Sequence, residues 1–198
     1  MDEQHSKHWP WVTWILSAFI IFVSVMAMPN LQGSIERYGL VPAKFGRYGG
    51  LTFLTSVVLH GGIFHLLSNM YFFLVFGDNV EEWLGRFHFT FLLLTAAIVG
   101  GIFHILSDPS SMTPCVGASG AISGVLAFYA LKFPHAKLGI FLNFKWLHFP
   151  ASWMFLFWVA MQLLGTYKQI FHASHVSALA HLGGACVGFV FWLVTRAK

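Results

Sequence analysis

A few polar side chains stand out in a chain built mostly of large apolar ones. Ser119 lies in the small-residue stretch CVGASGAISGV, residues 115–125. A serine hydroxyl becomes a nucleophile when a neighbouring base takes its proton, and histidine is the commonest such base. His181 lies in a second small-residue stretch, AHLGGACVG, residues 180–188. Each stands next to a pair of glycines four apart, Gly120/Gly124 and Gly184/Gly188. Such pairs let two helices approach closely in lipid. If the two glycine faces meet, Ser119 and His181 come within reach of each other. His65 and Asn69 are four apart and share one helix face. Their side chains would offer donors to the oxyanion that forms when a serine attacks a carbonyl. Ser119 falls in the first turn of its helix, where backbone N–H groups lack intrahelical partners and the dipole is positive. Asp78, Glu81 and Glu82 belong to one charged boundary and Asp108 to a loop at the other, so no carboxylate is expected beside the pair. The reading is a Ser119–His181 dyad whose histidine is oriented by packing, with Ser123 as a packing residue.

The elements that must position these residues are membrane helices. Of the 198 residues, 57% are hydrophobic and only 9% charged, with a mean hydropathy of +0.71. A soluble domain carries roughly a quarter charged residues, so the composition is that of an integral membrane protein with one domain. The net charge of +4 is scattered, with no basic run to grip nucleic acid. Cys115 and Cys186 make no disulfide framework and read as small packing residues. The first apolar run ends at Pro29 without a small-x-small cleavage site, so no cleaved signal peptide is expected. Six stretches free of Asp, Glu, Lys and Arg are long enough to span, since a crossing takes about 20 residues. They are 11–28; the later part of 49–77; 87–107; 110–131, starting near Val116; 146–167, starting near Pro150; and 169–195, beginning in a loop. A cytoplasmic N-terminus leaves Lys7, Arg86, Lys132, Lys137, Lys145, Arg196 and Lys198 inside, and Arg37, Lys44, Arg47 and Lys168 outside. The imbalance favours both termini in the cytoplasm. Residues 1–10 are then a short cytoplasmic tail, 11–198 a six-helix core, and about 29–53 a long, structured external loop. His65 lies 13 residues before Asp78, Ser119 13 before Lys132, and His181 15 before Arg196. At 1.5 Å per residue all three sit about 20–22 Å above the inner boundary. That is roughly 10 Å below the outer face of the hydrocarbon core. Three distant segments meet in one layer, as around a water-accessible cavity open to the outside.

These residues resemble the rhomboid family of intramembrane serine proteases. GASG at 117–120 is similar to the family's GxSG nucleophile motif, and HGGIFHLLSN at 60–69 to its span-two pattern of two histidines and an asparagine. AHLGGACVG resembles the catalytic-histidine helix, and NVEEWLGRF at 79–87 the ExxxG segment after span two. The resemblance covers about residues 47–194. It implies an all-α membrane protein with a six-transmembrane-helix rhomboid-like bundle. Ser119 would be the nucleophile, His181 the base, His65 and Asn69 the oxyanion support, and His60 a structural histidine. Three positions depart from the family's pattern. Leu51-Thr52 replaces a Trp-Arg pair, Trp83 an arginine, and Ser123 an aromatic residue four after the nucleophile.

The expected function is hydrolysis of a peptide bond in or near another protein's transmembrane segment. The partners are transmembrane protein substrates and the lipid bilayer, with no nucleic acid and no cofactor or metal. Oligomeric state is not specified. A bacterial-type plasma membrane is expected, the site opening to its outer face. Trp153, Phe155, Phe157 and Trp158 make either a lipid-facing entrance at span five or, the favoured reading, an ordinary aromatic belt. His172 and His175 read as interfacial. Two other classes compete. A haem- or metal-binding membrane protein would use His60, His65, His104 and His181, though HExxH is absent. A non-catalytic relative would bind transmembrane clients without cutting them.

Overall fold

The computed structural model of the chain describes residues 9–142, 144–170 and 177–196. After Pro10 the chain enters α1, Trp11–Ala27. Thr13, Ser17, Ile20 and Ser24 form its buried stripe, while Ile15, Phe19, Phe22 and Met26 face outward. Small and polar inside, large and apolar outside, is the pattern of a helix packed in lipid, where bulk apolarity gives no drive to associate.

The chain then folds through α2 (Leu31–Tyr38), short 3-10 turns at Pro42–Lys44 and Arg47–Gly50, and α3 (Thr52–Thr55). Arg47 pins this segment: Nη1 donates to the Glu36 carbonyl at 2.8 Å and Nη2 to the Gly39 carbonyl at 2.6 Å. Leu40 and Cys115 exchange backbone bonds of 3.0 and 2.8 Å, tying the segment to the loop that leads into Ser119.

α4 runs over Ile63–Leu84 and α5 over Arg86–Ser107, separated by Gly85 at φ +75°. This corrects the inner boundary expected at Asp78. The helix continues past Asp78, Glu81 and Glu82 because Glu81 has partners inside the bundle. Its carboxylate accepts from Val12 N at 2.9 Å, Thr13 N at 2.7 Å and Thr13 Oγ1 at 2.8 Å. It thereby satisfies donors that the start of α1 would otherwise leave open.

α6, Ser119–Lys132, lies at the centre and packs on α4, α5 and α8. Its 14 residues rise about 21 Å against a core of about 30 Å, so its N-terminus ends inside the bundle. Next comes an antiparallel hairpin, β1 (Lys137–Leu142) and β2 (Lys145–Pro150), in register from Lys137↔Pro150 to Leu142↔Lys145. It corrects the all-α expectation for residues 137–150, while the fifth span was expected to start near Pro150 and α7 begins at Ala151. Short apolar runs such as KLGIFL and KWLHFP do not distinguish strand from helix. α7 (Ala151–Ile170) and α8 (Ala178–Thr195) complete the fold. The core is largely aromatic and aliphatic, with Leu66, Phe73, Phe89, Leu92, Val125 and Phe128 fully buried.

The bundle is mostly helical, and three described segments are long and apolar enough to cross a membrane: Trp11–Tyr38, Arg86–Ser107 and Ala178–Thr195. α6 is apolar but shorter.

Candidate active site

Ser119 is the first residue of α6, His181 the fourth of α8 and His65 the third of α4. Equal distance from the inner charges does not set their common level, since α4 continues to Leu84. They meet because all three occupy the N-terminal ends of their helices, and α4 and α8 both pack on α6.

The glycine pairs of α6 and α8 face each other. A Cβ on Gly184 would enter the carbonyl of Gly120, and one on Gly188 the carbonyl of Gly124. α5 joins this contact through Gly100, where a Cβ would lie 2.8 Å from the Ala180 carbonyl oxygen. At this spacing Ser119 Oγ lies 2.8 Å from His181 Nε2. Ser177 caps α8, accepting from Ala180 N at 3.3 Å, and its hydroxyl lies 2.9 Å from His104 Nδ1. That fixes where α8 begins and hence where His181 points.

His65 accepts a hydrogen bond from Gly61 N on Nδ1 at 3.3 Å, which leaves its ring proton on Nε2. The ring lies over Gly117: a Cβ there would sit 2.9 Å from His65 Nε2 and 3.8 Å from Ser119 Oγ. Gly117 also holds φ +123°, a conformation that disfavours a side chain. Asn69 lines the same cavity, but its Nδ2 donates to the His65 carbonyl at 2.8 Å and so has one amide hydrogen left. The structure places Asn69 at the site without a bond to Ser119 or His181.

His60 is buried in a relay of bonds. Ala118 N donates to Nε2 at 3.4 Å, Nδ1 lies 3.0 Å from Ser24 Oγ, and Ser24 donates to the Val58 carbonyl at 2.8 Å. The relay ties α1 to the residue before Ser119. Ser123 donates to the Ser119 carbonyl at 2.6 Å. Cys186 is exposed, which corrects its reading as a packing residue, and Cys115 is half-buried. His172 and His175 lie outside the described residues.

The sequence reading missed the support of His181 from α7. His181 Nδ1 lies 2.8 Å from Gln162 Oε1, and the Trp158 ring lies 6.4 Å from the imidazole. The available signal was a single amide in an otherwise apolar stretch. His65, Asn69, Ser119, Trp158, Gln162 and His181 all line one cavity of about 540 Å³. Both ring nitrogens of His60 and of His181 have protein partners, which lends no support to a haem reading.

Fold and site together define a helical membrane protein that holds a serine against a histidine in the wall of a cavity. Residues 48–198 match the family model described as Rhomboid domain. The chain belongs to the rhomboid family. It is 29% identical over 189 residues to "Presenilin-associated rhomboid-like protein, mitochondrial" of Homo sapiens, covering 93% of this chain and 47% of that protein. It is 30% identical over 192 residues to "Rhomboid protein 1, mitochondrial" of Saccharomyces cerevisiae, covering 92% and 53%. "RHOMBOID-like protein 12, mitochondrial" of Arabidopsis thaliana is 28% identical over 195 residues, covering 89% and 53%. The chain spans about half the length of the curated relatives it matches. These names are mitochondrial and give no support to the bacterial-type plasma membrane expected above.

Proposed function

We propose that the chain is an intramembrane serine endopeptidase that cleaves a peptide bond in or near the transmembrane segment of a membrane-protein substrate. The observation that carries this is the 2.8 Å contact of Ser119 Oγ with His181 Nε2 at the wall of the cavity. In this reading α1, α4, α5, α6, α7 and α8 are the six spans, both termini share the inner side, and the site opens to the opposite face. His181 Nε2 takes the hydroxyl proton as Ser119 Oγ bonds to the scissile carbonyl carbon. His65 Nε2–H and the first N–H groups of α6 stabilise the resulting oxyanion, with the free amide hydrogen of Asn69 as a further donor. The intermediate collapses, the C–N bond breaks, and His181 returns its proton to the departing amine. Water from the cavity then gives a proton to His181 as it attacks the acyl carbon; the bond from that carbon to Ser119 Oγ breaks, His181 returns the proton to Oγ, and the carboxylic acid product leaves.

Both members of the pair are present and in contact, which favours this reading over a non-catalytic binder of transmembrane clients. The test is labelling of purified protein by a fluorophosphonate probe, together with cleavage of a transmembrane substrate in detergent. The parent is expected to label and cleave, and Ser119→Ala and His181→Ala to do neither. Equal cleavage by Ser119→Ala would overturn the assignment.

A further inference from the structure

We propose that Gln162 of α7 is the positioning residue for His181, setting its tautomer and so making the base dependent on α7. The inference rests on the protease reading above. His181 uses both ring nitrogens: Nε2 faces Ser119 Oγ at 2.8 Å and Nδ1 faces Gln162 Oε1 at 2.8 Å. A neutral imidazole carries one proton. With Oε1 toward the ring, Nδ1–H donates to Gln162 and Nε2 is free to accept from Ser119. If the amide instead presented its Nε2–H hydrogens to His181 Nδ1, the ring proton would sit on the histidine Nε2 and the serine would lose its base. A carboxylate in this position can only accept, so it imposes the productive tautomer. With Oε1 toward the ring, Gln162 supplies the same acceptor without a buried charge, which is costly in a membrane interior.

The source of the acceptor matters as much as its chemistry. α8 carries the histidine and packs closely on α5 and α6 through glycines. α7 packs on α8, α6 and the hairpin, and turns Trp153, Leu156, Phe157 and Leu163 outward. The second support of the imidazole, Trp158, is on α7 as well. No aromatic follows four residues after Ser119, where Ser123 instead bonds the Ser119 carbonyl. His181 therefore takes both its orienting bond and its ring neighbour from α7. Displacement of α7 from α8 removes the acceptor while leaving Ser119 and His181 on their own tightly packed helices.

The experiment compares parent, Gln162→Leu and Gln162→Glu for substrate cleavage, with Ser119→Ala as the blank. Gln162→Leu keeps the approximate length but has no acceptor. Its kcat is expected to fall about tenfold to a hundredfold with KM nearly unchanged, the rate value of one buried hydrogen bond. Gln162→Glu restores an acceptor and is expected to recover most of that loss. An unchanged kcat in Gln162→Leu would overturn the proposal, as would equal losses in Leu and Glu variants that are both folded by circular dichroism. A second measurement needs no variant: the imidazole ¹⁵N shifts of His181 in the parent protein. They are expected to show the proton on Nδ1, and a ring protonated on Nε2 in the resting protein would overturn the proposal. Failure of the protease reading itself has a different signature, because the parent would then neither label nor cleave.

Discussion

At the scale of single residues, this chain keeps polar groups in an apolar bundle by giving each a specific partner. Glu81 is only 2% exposed, yet its carboxylate accepts three hydrogen bonds from the start of α1. Glu81→Ala leaves two backbone donors and a threonine hydroxyl buried without an acceptor. The expected loss is about 1.5–3 kcal/mol, the range for hydrogen bonds to a charged group, measured as unfolding in mixed micelles. Glu81→Gln keeps one acceptor and should fall between the two; equal stability of parent and alanine variant would sink the idea. Two departures from the family pattern also find a local answer. Trp83, in place of an arginine, has the Lys132 ammonium 3.9 Å above its ring, a cation–π contact. Arg47 holds the segment between α1 and α4 through the Glu36 and Gly39 carbonyls, while Leu51 and Thr52 occupy the Trp-Arg positions.

At the scale of elements, the decisive contact is α6 against α8. Cβ atoms on Gly184 and Gly188 would collide with backbone carbonyls, which cannot move aside as a flexible side chain can. Gly184→Ala must therefore push α8 away from α6 and take His181 with it. Overpacking of this kind costs about 1–3 kcal/mol. A displacement near 1 Å at a reacting pair costs about 100-fold in rate. The variant is expected to lose most of its fluorophosphonate labelling at a temperature where circular dichroism still reports a folded protein. Labelling at the parent rate would mean that the glycine contact does not set the serine–histidine distance. The glycine pairs were legible in the sequence because a spacing of four fixes one face of a helix. The β1–β2 hairpin was not, since its apolar runs fit either periodicity.

At the scale of the whole molecule, the layout predicts opposite exposure of the two ends of the bundle. Lys44 lies in the segment between α1 and α4, which is tied through Ala43 N and the Ser111 carbonyl to the loop that leads into the N-terminus of α6. Lys145 lies on the hairpin between α6 and α7, beyond the other end of α6. Both are exposed. In a Cys115→Ala, Cys186→Ala background, Lys44→Cys and Lys145→Cys are expected to react with a membrane-impermeant maleimide from opposite sides of sealed vesicles. Reaction of both from one side would refute the six-span arrangement.

The amino-acid order alone pointed to the class, to the four residues proposed for the site and to the helix pairing. Membrane composition, glycine spacing and the serine and histidine positions are local properties that survive without coordinates. Tertiary structure alone decided how far α4 runs, because Glu81 reads as a boundary charge until α1 is docked on it. It also decided what supports the histidine. Nothing in the spacing of residues 151–170 relates Gln162 to His181, and a stretch of chain outside the described residues separates their helices. Their 2.8 Å contact exists only once α7 is laid against α8. Hydrogen bonding acts through space over a few ångströms, and only the packed bundle brings these two side chains within that range.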